Sequence, residues 1–211
     1  MATVLLVRHG ETPWNRERRI QGWAPTPLTE AGVEQARRCG ATLAEAYAVD
    51  RLVASDLRRV METVRWLRRS GALEVPVTID PRWRERDFGV YQGLGYRAFF
   101  EGYPAFSLEA SGVSAATEVP RGGESLAAMY DRVLAGWDDL RNDIEPGETV
   151  AVVSHGGPIR AVVGAVKGID VIEAMLESEQ DNCCINEIEV DVTDGSTRLR
   201  RENGTACATR R

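Results

Sequence analysis

Two apolar runs, Thr3-Val4-Leu5-Leu6-Val7 and Thr149-Val150-Ala151-Val152-Val153, lead straight into Arg8-His9-Gly10 and Ser154-His155-Gly156. Short continuous runs rich in β-branched residues read as strands buried on both faces, the kind found in parallel sheets covered by helices. His9 and His155 are the only 2 histidines among the 211 residues. Each lies just past the end of its strand, and in open α/β sheets ligands collect at the carboxyl ends of strands. If the two strands are neighbours, the two imidazoles meet there. Either histidine alone is also compatible with a strand-end residue satisfied by backbone. The matched context of both is what points to chemistry.

The remaining pattern alternates strands with helices. Thr29 is placed to cap a helix over 31–46, and Arg51–Ala54 reads as a second strand. Ser55 or Asp56 can cap the next helix, which has Leu57, Val60, Met61, Val64 and Leu67 on its apolar face and Gly71 as its stop. A third strand is expected over 75–79, before a loop holding Arg84-Glu85-Arg86-Asp87. Helices are expected over 125–141 and 158–167, with Pro158 tolerated in a first turn. Residues 185–192 alternate apolar and acidic side chains, as an edge or half-exposed strand does, and 200–211 reads as a frayed polar tail. Residues 10–28 are expected to be mostly loop, and 93–123, rich in glycine and proline, a lid insertion. The whole predicts an α/β fold: a three-layer α/β/α sandwich with a mostly parallel central sheet, in a single domain over 1–211 with a small lid.

Composition narrows the function. A formal charge of -6 and a pI near 5.1 argue against nucleic-acid binding, which needs a basic footprint. Cys39, Cys183, Cys184 and Cys207 show neither disulfide nor zinc spacing. No apolar run approaches the roughly 20 residues of a membrane helix, and the N-terminus lacks a basic segment with a cleavage site. The expectation is a soluble cytoplasmic protein. Its positive charge, if it binds an anion, must be concentrated locally. Arg8 adjoins His9, and Arg58 and Arg59 fall in a helical first turn, where free N–H groups also favour an anion. Arg65, Arg68 and Arg69 continue that charge downstream, so a solvated basic face is the competing explanation.

These residues resemble a known family. Arg8-His9-Gly10-Glu11-Thr12 is similar to the signature of the histidine phosphatase superfamily, which includes the phosphoglycerate mutases. The resemblance continues through Trp14-Asn15-Arg16-Glu17, Gln21-Gly22-Trp23, Pro27-Leu28-Thr29-Glu30-Ala31-Gly32 and Ser55-Asp56-Leu57-Arg58-Arg59. Arg84-Glu85-Arg86-Asp87-Phe88-Gly89, Gly123-Glu124-Ser125-Leu126 and His155-Gly156-Gly157-Pro158 complete it. The resemblance implies that His9 attacks phosphorus and carries the phosphoryl group, and that Glu85 protonates the leaving oxygen and then activates water. Arg8, Arg59 and His155 are implied to hold the phosphate charge, with Asn15, Gln21, Gly22 and Gly156 adding contacts, and no metal or cofactor is implied. Read without the resemblance, Glu85 is a surface carboxylate paired with Arg84 and Arg86.

The expected activity is therefore that of a metal-independent, histidine acid phosphatase-type phosphomonoesterase acting on a small phosphorylated metabolite. The resemblance to the mutase branch is weaker. Phe88 stands where mutases have tyrosine, Gly95-Tyr96 where they have Asn-Lys, and 94–122 contains only Arg97 and Arg121 as arginines. A phosphoglycerate mutase, or a non-catalytic phosphate-binding module, remains an alternative. Phe99, Phe100, Tyr103 and Phe106 either pack the lid or wall off an apolar leaving group, and a homodimer through an edge strand is one assembly open to the chain.

Overall fold

The computed structural model describes residues 1–205. In chain order it contains β1 (Ala2–Arg8), α1 (Pro13–Arg16), α2 (Glu30–Ala46), β2 (Arg51–Ala54), α3 (Arg58–Gly71) and β3 (Val77–Ile79). Four helices follow: α4 (Tyr96–Gly102), α5 (Leu108–Ser111), α6 (Val113–Thr117) and α7 (Leu126–Asp143). The last elements are β4 (Thr149–Ser154), α8 (Gly156–Lys167), α9 (Val171–Glu177), β5 (Ile185–Val190) and β6 (Thr197–Gly204).

One sheet holds all six strands in the order β3-β2-β4-β1-β5-β6. β3, β2, β4 and β1 run parallel, β5 is antiparallel to β1, and β6 is antiparallel to β5. Strand side chains alternate between faces, so a strand covered on both sides must be apolar at every position. Val4, Leu6, Val150 and Val152 pack on one face with Met129, Val133 and Trp137 of α7 and Ile159 and Val162 of α8. Leu5, Val7, Ala151 and Val153 pack on the other face with Ala36 and Leu43 of α2 and Val60, Val64 and Leu67 of α3. Burying each such side chain contributes about 2 kcal/mol, so this double layer fixes the strand ends rigidly. The expected three-layer sandwich is the one observed.

Several local expectations are corrected. The N-cap of α3 is Leu57, whose apolar side chain can make no cap bond; the Ser55 hydroxyl accepts from the Leu57 N–H at 3.3 Å and meets His155, and the Asp56 carboxylate is paired with Arg84. Gly71 is the last residue of α3, and Ala72 takes the left-handed conformation that ends it. Residues 185–190 form an inner strand, bonded to β1 on one side and β6 on the other. Its acidic positions are satisfied there, Glu187 by the Tyr47 hydroxyl at 2.7 Å and Glu189 by Arg200 at 2.5 Å. β6 takes up the first part of the expected tail, and 206–211, with Cys207, lies outside the described residues. Residues 93–123, read as a glycine- and proline-rich lid insertion, contain α4, α5 and α6 and a short turn at Pro104–Phe106. Phe99 and Phe106 are buried there with Ile20, so packing accounts for this part of the aromatic cluster. Among the described residues no helix is long and apolar enough to cross a membrane.

Candidate active site

The sheet order brings the two histidine-bearing strands side by side. β1 and β4 are parallel partners in a register that sets Arg8 opposite Ser154, so the next residues, His9 and His155, leave the sheet together. The His9 N–H donates to the Ser154 carbonyl at 3.0 Å, extending the ladder into the loop. Both side chains are buried, and their ring centroids lie 5.2 Å apart, edge to face.

Arg59, from the first turn of α3, lies between them. Its Nε is 3.3 Å from His9 Nε2 and 3.2 Å from His155 Nδ1. Its terminal nitrogens donate to the carbonyls of Gly22 at 2.7 Å and Ala24 at 3.2 Å, which draws the 21–24 loop over the histidines. Arg58 points outward and pairs with Glu62 at 2.8 Å. The basic-face explanation therefore holds for Arg58 and fails for Arg59, of which 1 % is exposed. Burial pushes the Arg59 pKa down to about 10, which leaves it charged at neutral pH.

His9 Nδ1 lies 2.8 Å from the Gly10 carbonyl, and His155 Nε2 lies 2.9 Å from Ser55 Oγ. Burial holds the His9 imidazole well below the ordinary histidine range, and the nearby Arg59 and Arg8 charges add to this while the Gly10 contact opposes it. Burial, then Arg59, His9, Arg8 and Arg132, lowers His155 in the same direction. Both rings are neutral at pH 7, the state a nitrogen nucleophile needs.

Arg8 donates through Nη1 to the Gln180 carbonyl, while its buried Nε has no partner. A guanidinium N–H enclosed without an acceptor costs stability unless an anion completes it. Arg160, four residues into α8, is anchored nearby to the Ser178 carbonyl at 2.5 Å. A Cβ built on Gly156 meets Arg8 Nε at 3.6 Å and Arg160 Nη1 at 3.8 Å, so both guanidinium groups converge on the start of α8.

Glu85, half-buried, reaches the start of α8 as well. Its Oε1 accepts from its neighbour's backbone, the Arg86 N–H, at 2.9 Å and its Oε2 from the Gly157 N–H at 3.1 Å. Arg84 is instead paired with Asp56, and Arg86 donates to the carbonyls of Glu124 and Glu118, each at 3.0 Å. The surface ion-pair explanation for Glu85 therefore fails. Its backbone is clamped as well: the Glu85 carbonyl accepts from Trp23 Nε1 at 2.6 Å and from Arg132 at 2.9 Å. Arg132 also reaches the carbonyls of Arg82 and Arg84, both at 2.7 Å, and the carboxylate of Glu124.

Asn15 and Gln21 meet through Thr12. Asn15 Oδ1 accepts from the Thr12 N–H at 3.1 Å and from Asn182 at 3.4 Å, and Gln21 Oε1 accepts from the hydroxyls of Thr12 and Thr26, both at 2.8 Å. The oxygen ends are thus used up, and the amide N–H groups remain as donors. Two glycines serve the scaffold rather than a ligand. A Cβ on Gly10 would strike the Gly32 carbonyl at 2.5 Å, and one on Gly157 would strike Glu85 at 2.2 Å.

The sequence does not point to Arg132, Asn182, Trp23 or Arg160 as site residues, and to Ser55 only as a cap. Asn182 donates to the His9 carbonyl at 2.9 Å. Tyr96, at the start of α4, is exposed, and the charged groups around its hydroxyl are Glu85, Arg8, Arg160 and Arg59. Among the described residues no group of three or more His, Cys, Asp or Glu side chains is arranged to hold a metal ion.

Known proteins share this arrangement of chain. Phosphoglycerate mutase-like protein 4 of Arabidopsis thaliana is 39% identical over 166 residues, covering 76% of this chain and 69% of its own length. A putative alpha-ribazole-5'-P phosphatase of Escherichia coli superposes with a TM-score of 0.83 at 28% identity, covering 99% of both chains. The mycobacterial glucosyl-3-phosphoglycerate phosphatase, solved with VO3, gives a TM-score of 0.77 at 28% identity over 96% of this chain and 99% of its own. Residues 4–204 match the family model, and the chain belongs to the histidine phosphatase superfamily, branch 1.

Proposed function

We propose that the protein is a metal-independent phosphatase that hydrolyses a small-molecule phosphomonoester through a phosphohistidine on His9. The observation that carries this reading is the environment of His9 Nε2. It is a buried nitrogen whose ring is held at Nδ1, and it faces a buried guanidinium beside a second arginine whose Nε lacks an acceptor.

In the first step the Nε2 lone pair attacks phosphorus, and the bond to the leaving oxygen breaks as Glu85 gives that oxygen a proton. In the second step the Glu85 carboxylate takes a proton from water, the water oxygen bonds to phosphorus, and the P–N bond returns its electrons to Nε2. Arg8, Arg59 and His155 offset the charge that spreads over the equatorial oxygens, the main way a protein accelerates phosphoryl transfer. The Asn15 and Gln21 amides and the backbone at Gly22 and Gly156 contribute further contacts.

Hydrolysis is favoured over mutase chemistry by the arginines of the 93–123 segment. Arg97 is directed to solvent, with 90% of its side chain exposed and paired to Glu101, and Arg121 is exposed as well. Neither stands in the site to hold a substrate carboxylate. The relatives' phosphatase names, for an α-ribazole phosphate and a glucosyl phosphoglycerate, support a small phosphoester as the substrate class. The test is hydrolysis of p-nitrophenyl phosphate with and without EDTA, beside a 3-phosphoglycerate mutase assay primed with 2,3-bisphosphoglycerate. Hydrolysis that survives EDTA with no isomerisation is expected; strong isomerisation with little hydrolysis would install the mutase reading instead.

A further inference from the structure

The proton positions on the two histidines follow from one N–H. Arg59 Nε carries a single hydrogen and can only donate. It faces His9 Nε2 at 3.3 Å and His155 Nδ1 at 3.2 Å, so both nitrogens turn lone pairs toward it. A neutral imidazole has one N–H, which must then be on the other nitrogen of each ring. For His9 that is Nδ1, and its neighbour, the Gly10 carbonyl, can only accept. For His155 it is Nε2, and its neighbour is the Ser55 hydroxyl, which can accept or donate. With Arg59 fixing the lone pair on Nδ1, Ser55 supplies in its hydroxyl the acceptor that holds the proton on His155 Nε2. Its oxygen also accepts from the Leu57 N–H at 3.3 Å, its own N–H is tied to the Val153 carbonyl at 3.1 Å, and it is fully buried.

The same arrangement governs how an anion is received. A phosphate oxygen arriving between the histidines draws the Arg59 N–H to itself, and the His155 Nδ1 lone pair then faces that oxygen. Two acceptors repel unless Nδ1 gains a proton. In the free protein the charged neighbours of His155 oppose that proton: Arg59 from α3, Arg8 at the end of β1 and Arg132 from α7, with His9 alongside. The carboxylate at this end of the site, Glu85, is taken up by the Gly157 and Arg86 N–H groups. Only the anion itself brings enough negative charge to retain it.

We propose that Ser55 is a positioning residue that holds the Nε2 proton of His155, so that a phosphate group is bound together with one proton taken up on His155 Nδ1. The proposal rests on the phosphoenzyme reading of the site and adds the proton count to it. Because the chain has only 2 histidines, protein labelled with 15N in histidine reports both rings without ambiguity. In the free protein His9 should be the Nδ1–H and His155 the Nε2–H tautomer. Saturation with inorganic phosphate at about pH 8, above the second phosphate pKa, should make His155 doubly protonated and leave His9 neutral.

Calorimetric titration of phosphate in buffers of different ionisation heat should show close to one proton taken up per phosphate. Ser55→Ala should lower kcat/KM about tenfold or more, the cost of one hydrogen bond to a charged ring. It should also move the basic limb of the pH profile down by roughly one unit, because the imidazolium is then held less tightly. Ser55→Thr, which keeps the oxygen, should return that limb to its place; a fold-only role for Ser55 predicts no shift. An Nδ1–H tautomer of His155 in the free protein, or phosphate binding without proton uptake, overturns the proposal while leaving His9 as nucleophile. Wild-type protein that neither binds phosphate nor hydrolyses p-nitrophenyl phosphate overturns both readings.

Discussion

At the carboxyl edge of β1 and β4, His9, His155 and Arg59 are enclosed, and each is held by two or more hydrogen bonds to neighbours on different elements. The segment from Gly93 to Gly123 is built from helices of at most seven residues, with Tyr96, Tyr103, Val113 and Val119 exposed. Its own small core is Phe99 and Phe106 against Ile20. Side chains placed at strand ends inherit the stiffness of two packed layers, whereas the 93–123 segment rests on a small aromatic cluster and touches the main core through Ala116 and Leu108. On the proposed function, phosphoryl chemistry would fall to the strand ends and the choice of leaving group to the 93–123 segment. Substitutions should be able to alter one while sparing the other.

The largest effect should come from the floor. His9→Ala should lower kcat on the order of 10⁴-fold or more, as removal of a covalent nucleophile does, with the circular dichroism spectrum of a folded protein. Glu85→Gln should slow alkyl phosphates about 10²- to 10⁴-fold and p-nitrophenyl phosphate far less, because a phenolate leaves without much protonation. Equal slowing of both substrates would remove Glu85 as the proton donor. In the 93–123 segment, Phe99→Ala should destabilise by about 3 kcal/mol through a cavity, read by urea unfolding, and change KM across substrates more than kcat. If kcat for p-nitrophenyl phosphate collapses instead, the two regions are not separable.

The buried neutral histidines also set a pH dependence of stability. Their folded pKa values lie well below the ordinary one, so the unfolded chain takes up protons first as pH falls. Stability from these groups is full above about pH 6.5 and is lost progressively below it, by up to about 3 kcal/mol per pH unit for two such rings. Urea unfolding at a series of pH values from neutral downward checks this, and the slope should halve in His9→Asn. The smallest effect belongs to Arg97→Ala, an exposed ion pair, which should change stability by less than about 0.5 kcal/mol and leave KM unchanged. A large rise in KM for 3-phosphoglycerate would place Arg97 in the site after all.

Much of the floor is legible in the sequence because its logic is local. A strand apolar at every position must be covered on both faces, and a histidine just after it must stand at the sheet edge. The two matching contexts then require only that the strands be neighbours, which β1 and β4 are. What stays hidden depends on contacts distant in the chain. A serine ahead of an apolar helical pattern looks like a cap, and only the fold places Ser55 against His155, 100 residues away. Arg132 has the spacing of any exposed helix charge, yet it clamps the carbonyls around Glu85. β6 reads as tail because an outer strand keeps a polar, charged sequence: Arg198, Arg200 and Glu202 follow one another at alternate positions. The helices of 93–123 are masked by their glycines and prolines, which here separate short turns.

Whether His9 carries the phosphoryl group can be read by rapid mixing. Enzyme and an aryl phosphate are quenched within the first turnover in alkali, where phosphohistidine survives, and the digested peptides are mapped by mass spectrometry. One phosphoryl group is expected on the peptide containing His9, on that residue, and none on the peptide containing His155. An unmodified His9 peptide during active turnover, or undiminished hydrolysis by His9→Ala, would contradict that role for His9.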